Sequence, residues 1–136
     1  MHFEYQKFVV LNMKKIAVYA AVLLISNNLA AQNKLQSTKW IGTGNIPNPT
    51  EVSLEFGASD TLAIKAGDEE VEVMRYSVNA DTLSITKLYG SSPCDNEVGK
   101  YHFSIKEDRI LLVAVQDECS IRAQAFSTEG YIRKKD

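Results

Sequence analysis

The sequence predicts an all-β fold, an antiparallel up-and-down meander of short strands closing into a small barrel of about eight strands. Three observations carry this. Short runs alternate apolar and polar side chains with the period of a half-buried strand, and turn residues separate them. No segment after residue 31 has the spacing of a long amphipathic helix. Cys94 and Cys119 bracket one well-defined hairpin.

The chain opens on a charged Met13-Lys14-Lys15, the apolar run Ile16 to Ile25 and a small-residue end at Ala30-Ala31, the parts of a secretory signal peptide. The apolar run is shorter than the roughly 20 residues that a spanning helix wants, and Asn12, Lys14 and Lys15 block its extension backwards. An uncleaved anchor is the disfavoured alternative. Residues 1–31 are therefore predicted to be a signal peptide and 32–136 the domain. Met13 is the more ordinary start, because residues 1–12 place Glu4 in what should be a basic region. Cutting 31 of the 136 residues leaves 105, enough for one domain with a modest core. The 15 basic and 17 acidic side chains fall to 12 and 16 with the loss of Lys7, Lys14, Lys15 and Glu4, a net charge of −4. That balance argues against nucleic acid or an anionic membrane as partner. The predicted location is secreted or periplasmic.

A first strand is expected around Thr38 to Thr43, followed by a loop from Gly42 to Thr50 with one helical turn, marked by Gly44, Pro47 and Pro49. Val52, Leu54 and Phe56 alternate into a turn at Gly57 to Asp60, which leads into Thr61 to Ile64. Val71 to Val78 turns at Asn79-Ala80-Asp81 into Thr82 to Ile85. The apolar phase slips between Val73 and Met74, which predicts a β-bulge near Val73. Asp60-Thr61-Leu62-Ala63-Ile64 and Asp81-Thr82-Leu83-Ser84-Ile85 are near copies, a convergence that turn and strand propensities explain without repetition.

Tyr101, Phe103 and Ile105 alternate with His102, Ser104 and Lys106, and Ile110 to Val115 is an apolar strand. A two-residue turn at Glu107-Asp108 pairs Lys106 with Arg109, Ile105 with Ile110, Phe103 with Leu112 and Tyr101 with Ala114. The same register brings Cys94 and Cys119 within disulfide reach, and export favours pairing. Its loop of 24 intervening residues corresponds to about 3.5 kcal/mol in the chain-entropy treatment. Final strands are expected at Ile121 to Phe126 and Tyr131 to Arg133.

Lys39-Trp40-Ile41-Gly42 at the first strand, the meander and a basic residue on the last strand resemble the calycin plan shared by lipocalins, fatty-acid-binding proteins and avidins. Cys94-Asp95-Asn96-Glu97-Val98-Gly99-Lys100-Tyr101, with Asp117-Glu118-Cys119-Ser120-Ile121-Arg122, is similar to small exported bacterial lipocalin-like proteins, in which Gly-x-Tyr and Asp-x-Cys-x-x-Arg segments recur. The resemblance covers most of residues 35–133. Calycins carry Gly-x-Trp before the first strand, where this chain has Thr38-Lys39-Trp40. The resemblance implies an indole, Trp40, closing one end of the barrel under a cation, Arg122 or Arg133. That contact is expected to be structural, without touching a ligand.

Catalytic chemistry finds little support. His102 alternates away from Tyr101 and Phe103, towards the outside, and no Gly-x-Ser-x-Gly, His-Glu-x-x-His or phosphate loop is present. The acidic run Asp68 to Glu72, with Asp95, Glu97, Asp117 and Glu118, lacks an EF-hand spacing and is expected to be solvated loop. No enzyme activity, cofactor or metal is predicted. The expected ligand site is the barrel interior, lined by Phe56, Tyr101, Phe103 and Leu112, for a small apolar or amphipathic molecule at the mouth. The alternative is a ligand-free interaction or inhibitor module with a filled barrel. Leu111, Val113 and Val115 form an apolar outer face that suits a covering segment, a dimer or a protein partner.

Overall fold

The structure, a computed structural model, describes residues 34–135. The proposed signal peptide and upstream start lie outside the described residues. Eight strands run β1 (Thr38–Asn45), β2 (Pro49–Phe56), β3 (Thr61–Ala66), β4 (Glu69–Asn79), β5 (Thr82–Gly90), β6 (Gly99–Lys106), β7 (Arg109–Gln116) and β8 (Tyr131–Lys134). Each pairs antiparallel with the next, and β1 pairs with β8, so the meander closes into a barrel. One short helix, α1 (Ser120–Ala125), sits between β7 and β8.

The hairpin register is the one that the alternation predicts. Lys106 faces Arg109, Ile105 faces Ile110, Phe103 faces Leu112 and Tyr101 faces Ala114. Glu107 adopts φ 59°, the left-handed geometry of a two-residue hairpin turn. A register shift between Val73 and Met74 stands where the phase slip predicted a bulge. Its extra residue is Leu88 of β5, because Val73 pairs with Tyr89 and Met74 with Lys87. A second shift makes Val71 the extra residue of β4 against β3.

Three expectations need correction. Within the segment expected as a strand from Ile121 to Phe126, Ile121 to Ala125 belong to helix α1 and Phe126 ends it: Arg122, Ala123, Gln124 and Ala125 are strong helix formers. The expected Gly42 to Thr50 loop is mostly strand, since β1 continues to Asn45 and β2 begins at Pro49, leaving a tight turn with a cis Ile46-Pro47 bond. Proline at the head of a strand costs no ladder bond. Ile105 shares the inner parity but is 38% exposed. β5 pairs with β6 only from Gly99 to His102, so the hairpin tip carries Ile105 past its neighbour strand.

The inner faces build one cluster of buried apolar side chains, which includes Trp40, Leu54, Phe56, Leu62, Tyr76, Leu83, Ile85, Tyr101, Phe103, Ile110 and Leu112. One barrel end is closed by tight turns and by Leu35, which is fully buried just ahead of β1. There Trp40 donates its indole N–H to Thr38 Oγ1 at 2.9 Å, and Thr38 Oγ1 donates to the Leu35 carbonyl at 2.5 Å. The Arg133 guanidinium lies 5.8 Å from the indole centroid. The opposite end gathers the β1–β2 turn, the β3–β4 turn, the long β5–β6 loop and α1, and it is the mouth.

Candidate functional site

A cavity of about 440 Å³ opens at the mouth, within the size range of small-molecule sites. Its floor is Val52 and Leu54 of β2, Ile64 of β3 and Met74 of β4. Ile46 and Pro47 form one wall, Ser91, Ser92 and Pro93 another, and Ile121, Arg122, Ala125 and Phe126 a third. Tyr131 closes the side where β8 begins.

The walls are held by specific bonds. The bulged Val71 turns its carbonyl to Ser91, accepting from the backbone N–H at 3.0 Å and from Oγ at 3.1 Å. Glu72 Oε2 accepts from the Ser92 N–H at 3.0 Å, and Lys87 Nζ donates to the Ser92 carbonyl at 2.5 Å while standing 3.8 Å from Glu72 Oε1. On the opposite wall, Asn45 Nδ2 donates to the Gln124 carbonyl at 3.1 Å, tying α1 to β1. The Cys94–Cys119 disulfide, with Cα atoms 5.7 Å apart, joins the β5–β6 loop to the start of α1. It therefore links two walls of the mouth.

Beside the disulfide lies an ion pair sealed from solvent. Asp117 has 0% and Arg122 6% of the side chain exposed. Asp117 Oδ2 accepts from Arg122 Nε at 2.6 Å and from the Tyr101 hydroxyl; Oδ1 accepts from Arg122 Nη2 at 2.7 Å and the Cys119 N–H at 2.9 Å. Arg122 Nη2 also donates to the Glu97 carbonyl at 2.8 Å. Burial alone pushes the Asp117 carboxyl up, but hydrogen bonds from Arg122, Tyr101 and the Cys119 N–H outweigh it and hold the group below its ordinary range. Burial, with the bond to Asp117, pushes the Tyr101 phenol far up. The bond to Asp117 raises Arg122 despite its burial. Gly99 is required here, because a Cβ would stand 2.5 Å from Asp117 Oδ2. The arrangement fixes geometry; it has no free base or nucleophile.

The residues expected to line the ligand site fall elsewhere. Phe56, Tyr101, Phe103 and Leu112 are all buried, but none borders the cavity. Phe56 packs edge-on against Tyr76 at 5.0 Å and Tyr101 edge-on against Phe126 at 5.1 Å. Phe56 and Tyr101 are packed against aromatic neighbours, and the space lies over Val52 and Leu54 of β2, Ile64 of β3 and Met74 of β4. Of the two cations considered for the indole, Arg133 lies over Trp40, whereas Arg122 belongs to the Asp117 pair and the mouth. His102 is half exposed, its Nδ1 3.1 Å from Asp81. The expected solvation of the acidic loop residues fails at Asp117 and at Glu72, whose side chain is 13% exposed on the inner face of β4.

Sequence reasoning placed Glu72 in a solvated loop and missed Ser91 and Ser92. Glu72 pairs with Ile64 and so shares its inner face. The signal was strict alternation through Glu72, Met74, Tyr76 and Val78, which the neighbouring apolar Val71 and Val73 obscured. No protein-family model, no curated protein and no solved structure matches the chain.

Proposed function

We propose that the protein is an exported, lipocalin-like binder, and not an enzyme, that takes a small apolar or amphipathic molecule into the mouth of its barrel. The observation that carries this reading is the 440 Å³ cavity with an apolar floor, braced by a disulfide and a buried ion pair. Preformed, mostly apolar concavities with a few placed polar groups are the usual form of such sites. The closed end, with Trp40 under Arg133, supports the likeness to calycins. Among the described residues no helix is long and apolar enough to cross a membrane, and a disulfide fits an oxidising compartment.

Native mass spectrometry of exported protein should show a co-purifying small molecule, and a neutral fluorescent apolar probe should bind saturably. Met74→Trp, which fills the cavity from its floor, should abolish probe binding while circular dichroism shows a folded protein. Saturable binding that survives Met74→Trp would place the site outside the barrel.

One observation favours a second reading, a protein-interaction module. β8 pairs with β7 only at Arg109 and Ile110, so among the described strands Leu111 to Ala114 and Gln116 pair with β6 alone, and Val115 is the extra residue where that register shifts. On the outer face of this edge Val113 is 58% and Val115 66% exposed, beside a half-buried Leu111. Open strand edges of this kind pair with other chains. If the edge mediates association, sedimentation should show an oligomer that the Val113→Lys, Val115→Lys double variant dissociates without loss of fold. A wild-type monomer would remove self-association from this reading.

A further inference from the structure

We infer that the cavity takes the tail of an amphiphile whose head carries no negative charge, and that it turns carboxylates away. This rests on the cavity reading above and adds the class of head group. The lining has two charged side chains, Arg122 and Glu72, and the charge of each is already matched. The Arg122 Nε and Nη2 groups are spent on Asp117 and the Glu97 carbonyl. The remaining Nη1 has no hydrogen-bond partner, but it is sealed from solvent and so does not present itself to a guest. Glu72 is bound by the Ser92 N–H and stands beside Lys87. The cavity therefore supplies no spare cation.

The surroundings push in the same direction. The turn and strand start at the mouth carry exposed Asp68, Glu69 and Glu70, and the β5–β6 loop adds Asp95. Lys65, the cation near that turn, is engaged by Glu55 at 2.9 Å. A carboxylate approaching this rim meets like charge, and within the cavity it would lose water without gaining a counter-ion. The outcome is exclusion. An alcohol or amide head loses far less on leaving water than a carboxylate does, and an ammonium head left at the rim is attracted by the same acids over roughly a Debye length of 8 Å. At about 30 Å³ for each water-sized group, the 440 Å³ cavity has room for about fourteen non-hydrogen atoms. A ten-carbon tail fits.

The test is displacement of N-phenyl-1-naphthylamine, a neutral fluorescent probe, from the disulfide-bonded protein at pH 7.5 in low salt, using a matched ten-carbon series. 1-Decanol and decylammonium should displace the probe at concentrations at least tenfold below decanoate. Glu72→Gln, checked for its thermal melt, should narrow the gap between decanol and decanoate at least threefold by leaving Lys87 unbalanced. Decanoate competing as well as decanol in the wild type would overturn the inference, whether or not the variant folds. So would an unchanged gap in folded Glu72→Gln. Probe binding that none of the three displaces would overturn the amphiphile and leave an apolar cavity, whereas absence of probe binding would remove the cavity reading itself.

Discussion

Asp117 gathers the bonds beside the mouth, because one buried carboxylate accepts from Arg122, Tyr101 and the Cys119 N–H. Asp117→Asn leaves the Arg122 charge uncompensated in a sealed site, and should cost about 3–5 kcal/mol in urea unfolding, the usual result of removing one partner of a buried pair. The direction of the pH dependence follows from the depressed carboxyl. Above its ordinary range the contribution is fully present; as pH falls through the lower folded value the unfolded chain binds more protons, and stability is lost. Wild-type stability should therefore decline below the ordinary carboxylate range, with a shallower decline in Asp117→Asn. Glu55, held low chiefly by its bond to Lys65, contributes to the slope in the same direction. A slope unaltered by Asp117→Asn would count against this assignment.

At the scale of elements, the disulfide matters through what it joins. Cys94 follows Pro93 of one wall and Cys119 precedes α1 of another, so the bridge restrains the mouth as well as the unfolded chain. Replacing both cysteines by Ala should lower unfolding free energy by roughly 2–4 kcal/mol. Probe affinity should fall with it at temperatures where the variant is still folded. Equal affinity in the folded variant would show that Arg122 and the loop hydrogen bonds position the walls unaided. The weakest seam is β7–β8, with two residue pairs against eight for β1–β2. Gly130 permits even that contact: it holds φ 83°, and a Cβ there would meet the Ile110 carbonyl oxygen at 2.4 Å.

Considered whole, the barrel has a plugged end and an open one, and the plug begins at Leu35. Cleavage after Ala31 would keep Leu35, Thr38 and Trp40, the residues that close the barrel. Intact-mass analysis of exported protein should find a chain starting near Gln32, with the thermal stability expected of a complete core. Truncation through Leu35 should destabilise it by about 2–5 kcal/mol, as for deletion of a large buried side chain. A full-length product held in a membrane would contradict the export reading.

The meander, the hairpin register from Lys106 to Arg109, the bulge at Val73 and the disulfide were all legible in the sequence, because each depends on period-two alternation and turn chemistry over a few residues. Helix formation at Ile121 to Phe126 was less legible: alternating apolar residues suit a short strand as well as one helical turn, and the tie at Cys119 with the Arg122–Asp117 pair decides it. The position of the cavity lay further out of reach. Alternation tells which residues face inward, but whether an inward side chain meets another depends on how eight strands stagger around a closed barrel. Phe56 and Tyr101 found partners in Tyr76 and Phe126, and space remained over Val52, Leu54, Ile64 and Met74. Local pattern set the faces of the strands, and only closure of the barrel decided which of them were left uncovered.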